Sequence, residues 1–167
     1  MSDLYTELLV KKERTSKDTL IRFGIIAGTA VFVFAGLFIS PLLLIPAIAC
    51  GVAAYFIVPR TDLEFEYLFI NGDLDIDMIM SKAKRKKAKS VKMEEIDLVA
   101  PLNSHRLDYY NNNQNIRVLD YSSGNAEHKR YALIGKDDKG LCKIIIEPDE
   151  ALANAMKNCA PGKVFLD

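Results

Sequence analysis

From Phe23 to Val58 the chain runs for 36 consecutive residues without a charged side chain. One helix of that length would reach roughly 54 Å at about 1.5 Å per residue, against a hydrocarbon core of about 30 Å. A single span is therefore excluded. Ser40, Pro41 and Pro46 interrupt the run near its middle, and segments 20–39 and 42–58 fit an antiparallel transmembrane helical hairpin with some bilayer thinning. Thr15 and Asp18 have the spacing of a capping box that would start the first helix, and Arg22 can reach the head groups. Three regions follow: a cytoplasmic juxtamembrane amphipathic segment over 1–18, the hairpin within 19–59, and a cytoplasmic domain over 60–167.

Basic residues set the expected orientation. Lys11, Lys12, Arg14, Lys17 and Arg22 precede the first helix and Arg60 follows the second, while the connection between them holds neither Lys nor Arg. This bias puts both termini in the cytoplasm of a multi-pass protein of the cell (plasma) membrane. Upstream, Leu4, Tyr5, Leu8 and Leu9 form a short apolar stripe at helical spacing, suited to the membrane surface or to packing on the domain. Gly24 and Gly28 recur four apart on the first helix, as do Ala47 and Gly51 on the second. Small residues at that spacing let helices approach closely, either within one hairpin or between chains. No ionisable Asp, Glu, Lys, Arg or His lies within the run, so transport by this chain alone is not expected. Cys50, Cys142 and Cys159 are odd in number and read as reduced structural thiols.

After Val58, 109 residues remain, enough for one domain with its own core. From Asp62 the apolar period becomes two: Leu63, Phe65, Tyr67 and Phe69 make one strand, Asn71-Gly72 a hairpin turn, and Leu74, Ile76, Met78 and Met80 the returning strand. Further strands are expected at 85–91, 96–101, 116–121, 130–134 and 141–147, with a polar interruption from Asn103 to Asn115. A helix over about 148–160 begins at Pro148, has Asp149 and Glu150 in its first turn, and stops at Pro161-Gly162. Leu152, Ala155, Met156 and Cys159 supply its apolar stripe. The fold class is thus α+β: a transmembrane helical hairpin followed by seven antiparallel strands and a closing helix.

Meandering strands closed by a C-terminal amphipathic helix resemble the pleckstrin-homology-like (PH-like) barrel, over about residues 62–160. The whole chain also resembles an uncharacterised family of small bacterial two-span membrane proteins with a C-terminal cytoplasmic PH-like domain. The stretches that carry this likeness are Met1-Ser2-Asp3-Leu4-Tyr5, the run from Glu66 to Asp77, and Val99-Ala100-Pro101-Leu102-Asn103-Ser104-His105. The resemblance implies a seven-stranded barrel capped by a helix and brings no activity with it.

Several constellations invite chemistry. Asp73, Asp75 and Asp77 have the alternation of a calcium loop, but Met78 and Lys84 stand where an EF-hand needs Gly and Glu, so the acids read as the solvent face of a strand. Ser104, His105 and Asp108 contain triad residue types without a nucleophile-elbow pattern. No Cys/His spacing suits zinc and no glycine pattern cradles phosphate, so neither metal nor cofactor is expected. Formal net charge is zero, which gives no reason to expect nucleic acid as a partner.

The densest charge feature is Lys82, Lys84, Arg85, Lys86, Lys87, Lys89 and Lys92, seven cations in eleven positions. Near the cytoplasmic leaflet such residues gain about 1 kcal/mol each from anionic lipid head groups; pairing with Asp73, Asp75 and Asp77 across the sheet is the competing use. His105, Tyr109 and Tyr110 mark the interrupting loop as a candidate partner surface. The expected function is a non-enzymatic integral membrane protein presenting a PH-like interaction or scaffold domain at the inner leaflet. The alternatives are an anionic-lipid sensor acting through 82–92, and an accessory subunit of a membrane transporter or enzyme complex.

Overall fold

The computed structural model describes residues 5–167, so Leu4 and the residues before it lie outside the described residues. The chain divides into a helical-hairpin unit, residues 13–63 with the turn 80–84, and a sheet unit made of the segments up to Lys12, 64–79 and 85–167.

In the hairpin unit, helix α1 spans Ser16–Phe38 and α2 spans Leu44–Ile57, joined through a three-ten turn at Pro41–Leu43 that begins, as proline favours, at its first position. Thr15 caps α1, and its N–H donates to the Asp18 carboxylate at 3.1 Å, as the capping-box spacing requires. The helices pack where the chain is smallest. Gly36 and Ala47 are buried, and a Cβ at Gly36 would sit 2.5 Å from Leu44 Cδ2 and 3.1 Å from the Leu44 backbone nitrogen. Past Arg22 the helices are apolar all round and their side chains are mostly exposed or half-exposed: Phe34 and Phe38 stack at 5.0 Å yet remain 68% and 75% exposed. A soluble core helix hides such residues. The segments Ser16–Phe38 and Pro41–Thr61 are long and apolar enough to cross a membrane, with mean hydropathy 2.0 and 2.3. Thr29 returns its hydroxyl to the Ile25 carbonyl at 2.8 Å, so its polar group needs no water.

The sheet unit holds two four-stranded sheets. The first has the order β1 (Tyr5–Lys11), β2 (Leu63–Ile70), β3 (Asp73–Met80), β4 (Lys84–Lys92). The second comprises β5 (Ile96–Pro101), β6 (Arg117–Asp120), β7 (Tyr131–Asp137) and β8 (Gly140–Ile146), in the order β5-β7-β8-β6. Three corrections to the sequence reading follow. Among the described residues the strands number eight in two sheets rather than seven in one barrel. The stripe read as helical around Tyr5, Leu8 and Leu9 is a strand: β1 runs antiparallel to β2 with Tyr5 opposite Ile70 and Lys11 opposite Glu64. Val10 is buried and Leu8 half-buried, facing the core, while Tyr5 and Leu9 face out. Finally, β6 runs parallel to β8, so the architecture is not wholly antiparallel.

The main core lies between the sheets. Phe65, Tyr67 and Phe69 from β2, Leu74 and Ile76 from β3, and Leu133, Ile144 and Ile146 from β7 and β8 meet Leu152, Ala155 and Met156 of helix α4 (Glu150–Cys159). The cap of α4 is Asp149, whose carboxylate accepts from the Leu152 N–H at 2.8 Å, so Pro148 stands just before the helix rather than opening it. A second layer covers the other face of the second sheet. Leu98, Ala100, Ala132 and Ile134 are sealed by Leu107, Tyr110, Ile116 and Phe165, which explains why β7 is buried without alternation from Tyr131 to Gly135. The C-terminal tail covers the outer edge of β5, with Val99 N–H donating to the Lys163 carbonyl and Phe165 N–H to the Val99 carbonyl at 2.8 and 2.9 Å.

Candidate functional site

The cations of 82–92 divide between the two units. In the sheet unit, β4 is an edge strand, where lysines discourage pairing with another chain. Three of its cations are taken up internally. Arg85 meets Glu66 at 2.7 Å, Lys87 meets Asp75 at 2.9 Å, and Lys89 meets Asp137 at 2.7 Å. The Ser90 hydroxyl, and after it Lys87, hold the Asp75 carboxyl below its usual range. Asp137 is the better-defended acid: Lys89 and Arg117 bond one oxygen, the Lys139 N–H donates to the other at 2.9 Å, and the carboxyl is lowered to about 2. Lys86 and Lys92 are exposed and meet no carboxylate among the described residues. Of the three acids expected to face this strand, Asp75 is the one so used.

In the hairpin unit the turn between β3 and β4 carries Lys82, and Lys84 is the first residue of β4. Ser81 and Lys82 both adopt left-handed conformations, φ 48° and 57°, and the Ala83 N–H closes the turn on the Met80 carbonyl at 3.1 Å. Such geometry costs about 1–2 kcal/mol for a residue with a Cβ. The β2–β3 turn solves the same problem with Asn71 and Gly72, residue types that tolerate it. The Ser81 N–H donates to the Asp62 carbonyl at 2.8 Å, tying the turn to the end of the hairpin. Lys84 Nζ lies 4.9 Å over the Tyr55 ring and 3.5 Å from its hydroxyl.

The loop residues are placed differently from one another. Leu107 is fully buried and anchors the loop, whose short helix α3 (Asp108–Asn111) brings Tyr110 onto the second core layer while Tyr109 stays 77% exposed. Ser104 Oγ accepts from the Arg106 N–H, capping its own turn, and the His105 ring projects into solvent 3.4 Å from Asp108. Serine, histidine and aspartate thus share one turn without converging on a reacting atom. Among the described residues no group of three His, Cys, Asp or Glu side chains is placed to hold a metal ion. Gly24, Gly28 and Gly51 have open space where a Cβ would stand; the contact within the hairpin is at Gly36 and Ala47.

A cluster the sequence did not reveal surrounds Glu147. Its carboxylate accepts from Ser123 Oγ at 2.5 Å, from the Ser123 N–H at 3.1 Å, and contacts His128 Nδ1 at 2.7 Å. The same Nδ1 is 3.4 Å from Ser123 Oγ. A relay needs serine and acid on opposite ring nitrogens; here both share one, and Glu147 pins the segment between β6 and β7. Beneath it, Tyr67 donates to the Tyr121 carbonyl at 2.6 Å and accepts from the Glu147 N–H at 3.3 Å, and burial pushes its hydroxyl well up. Ser123 and Glu147 are far apart in sequence and match no motif spacing. A cavity of about 510 Å³ opens between Asn71–Asp73, Lys92–Glu94 and Cys159–Lys163. Gly72 lines it, and a Cβ there would be 2.8 Å from Cys159 Sγ.

Two sheets around one core, with an amphipathic C-terminal helix packed into it, make the sheet unit a PH-like domain. The chain belongs to the family described as Bacterial PH-like domain (DUF6106), whose match runs over residues 2–166 and so takes in both apolar helices and β1. No curated protein and no solved structure matches the chain.

Proposed function

We propose that this is an integral protein of the bacterial cell membrane that holds a PH-like interaction or scaffold domain at the cytoplasmic face, without chemistry of its own. The observation that carries the reading is the insertion of both apolar helices between β1 and β2, whose residues Lys11 and Glu64 stand opposite each other. A domain that surrenders its chain to the bilayer and takes it back into the same ladder requires two crossings, and both termini then lie on one side. The positive residues flanking the helices make that side the cytoplasm. Tethering concentrates the domain at the membrane, so weak contacts with a partner suffice.

The protein's own thiols test this. Cys159 is exposed, Cys142 is buried, and Cys50 is in α2. A membrane-impermeant maleimide should label Cys159 in inverted vesicles, and Ser40→Cys should be labelled in right-side-out vesicles. Labelling of Cys159 from the outer side refutes the orientation. The bare faces at Gly24, Gly28 and Gly51 favour a second reading, in which the hairpin packs against a transporter or enzyme subunit or a second copy. Co-purification in fixed stoichiometry, lost on Gly24→Leu, is the corresponding test.

A further inference from the structure

Positive charge is not spread evenly over this neutral chain. The hairpin unit carries Arg14, Lys17, Arg22, Arg60, Lys82 and Lys84 against Glu13, Asp18 and Asp62, six cations to three acids, leaving the sheet unit acidic by the same margin. Its acids are partly engaged: Asp18 caps α1 and Asp62 meets Arg14 at 3.0 Å. Lys82 and Lys84 are exposed and meet no carboxylate among the described residues. Tyr55, in the last turn of α2, is the kind of residue that settles at head-group depth. Because Lys84 lies over that ring, its ammonium is fixed at the same depth.

We infer that the β3–β4 turn and the first residue of β4 make a binding site for the phosphate of an anionic phospholipid, formed by Lys82 and Lys84, with the Ser81 backbone tied down and Lys84 held over Tyr55; the inference rests on the membrane reading above. The left-handed Ser81-Lys82 pair supports it. Strained turns persist where the surroundings enforce them and cluster at functional positions. The turn could have been Asn-Gly, as at Asn71-Gly72, and instead places a lysine at its tip. Tied to the Asp62 carbonyl, the turn backbone is held in place, and Lys84 is held over Tyr55, so less ordering is needed when a phosphate arrives. Surface lysines at an anionic leaflet act over about a Debye length. Depth fixed by Tyr55 keeps Lys84 within it.

The test uses the full-length protein in mild detergent with equal amounts of phosphatidylglycerol and phosphatidylcholine, counting singly lipid-bound species by native mass spectrometry. A lysine at an anionic surface is worth about fivefold in binding, so Lys82→Gln with Lys84→Gln should lower the phosphatidylglycerol preference at least fivefold. Lys86→Gln with Lys92→Gln should leave it unchanged. Ser81→Asn with Lys82→Gly keeps an easier turn and should still lower the preference, which separates charge from misfolding. An equal fall in the Lys86/Lys92 pair, or no preference in the parent protein, overturns the site. So does an unchanged lipid ratio accompanied by loss of a co-purifying acidic protein from the Lys82/Lys84 variant. A parent protein that binds neither lipid overturns the membrane reading as well.

Discussion

If β1 belongs to the domain, a chain beginning at residue 60 lacks a strand that the fold needs. Val10 is 7% exposed and Leu8 half-buried against the main core. Full burial of a valine is worth about 1.5–3 kcal/mol and a half-buried leucine about 1, so removing β1 forfeits roughly 2.5–4 kcal/mol before any ladder bond is counted. Whole domains are stable by about 5–15 kcal/mol. The comparison is with a chain in which Lys11 is joined to Glu64 through Asn-Gly, which replaces the hairpin by the two-residue turn that directly opposed residues accept. Urea unfolding followed by circular dichroism should place the midpoint of fragment 60–167 on the order of 2 M below that of the joined chain, taking about 1–3 kcal/mol per M for a small domain. Size-exclusion chromatography should show the fragment self-associating through the uncovered edge of β2. A monomeric fragment 60–167 whose midpoint lies within about 0.3 M of the joined chain refutes the assignment of β1 to the core.

At Gly36, replacement by valine should open the hairpin, since even a Cβ meets Leu44 at 2.5 Å, whereas Gly24→Ala and Gly28→Ala meet nothing and should gain up to about 1 kcal/mol of helix propensity; unfolding in increasing SDS followed by circular dichroism reads both, and equal effects at Gly24 and Gly36 would sink the packing argument. The Asp137 carboxyl falls from 3.8 unfolded to about 2 folded. A lowered folded value contributes stability that is complete above about pH 4 and is lost as pH falls toward 2. The gap in urea midpoint between the parent protein and Asp137→Asn should therefore narrow over that interval, and a constant gap would mean that Asp137 ionisation does not contribute.

The sequence exposes features that repeat locally. A charge-free run too long for one span fixes two helices, and the period-two residues around Asn71-Gly72 fix β2, β3 and their turn to within a residue. What stays hidden depends on distant partners. Leu4 and Leu8 are four apart, a spacing that suits a helix turn and is also a multiple of two, so Thr6, Leu8 and Val10 could not be told from a helical stripe until Phe65 to Ile70 lay beside them. The parallel pairing of β6 with β8 follows from the route of residues 121–130, which carry no periodic signal. Asp137 sits in a stretch that reads as an ordinary turn, yet it is the acid that Lys89 and Arg117 share. The Gly24/Gly28 spacing identifies a narrow face without saying that Gly36 makes the contact with α2.

The interrupted first ladder also sets an order of events during synthesis. β1 leaves the ribosome before β2 and lacks that partner until roughly fifty further residues have been made, an interval of about 3–10 s at 5–20 residues per second. Those residues include both apolar helices. On the two-crossing reading proposed above, a helix that failed to enter the bilayer would leave β1 and β2 on opposite sides, and the domain with an uncovered edge and a gap where Val10 belongs. On that reading completion of the sheet registers correct insertion, and a chain with the wrong topology exposes itself to proteolysis by the same defect.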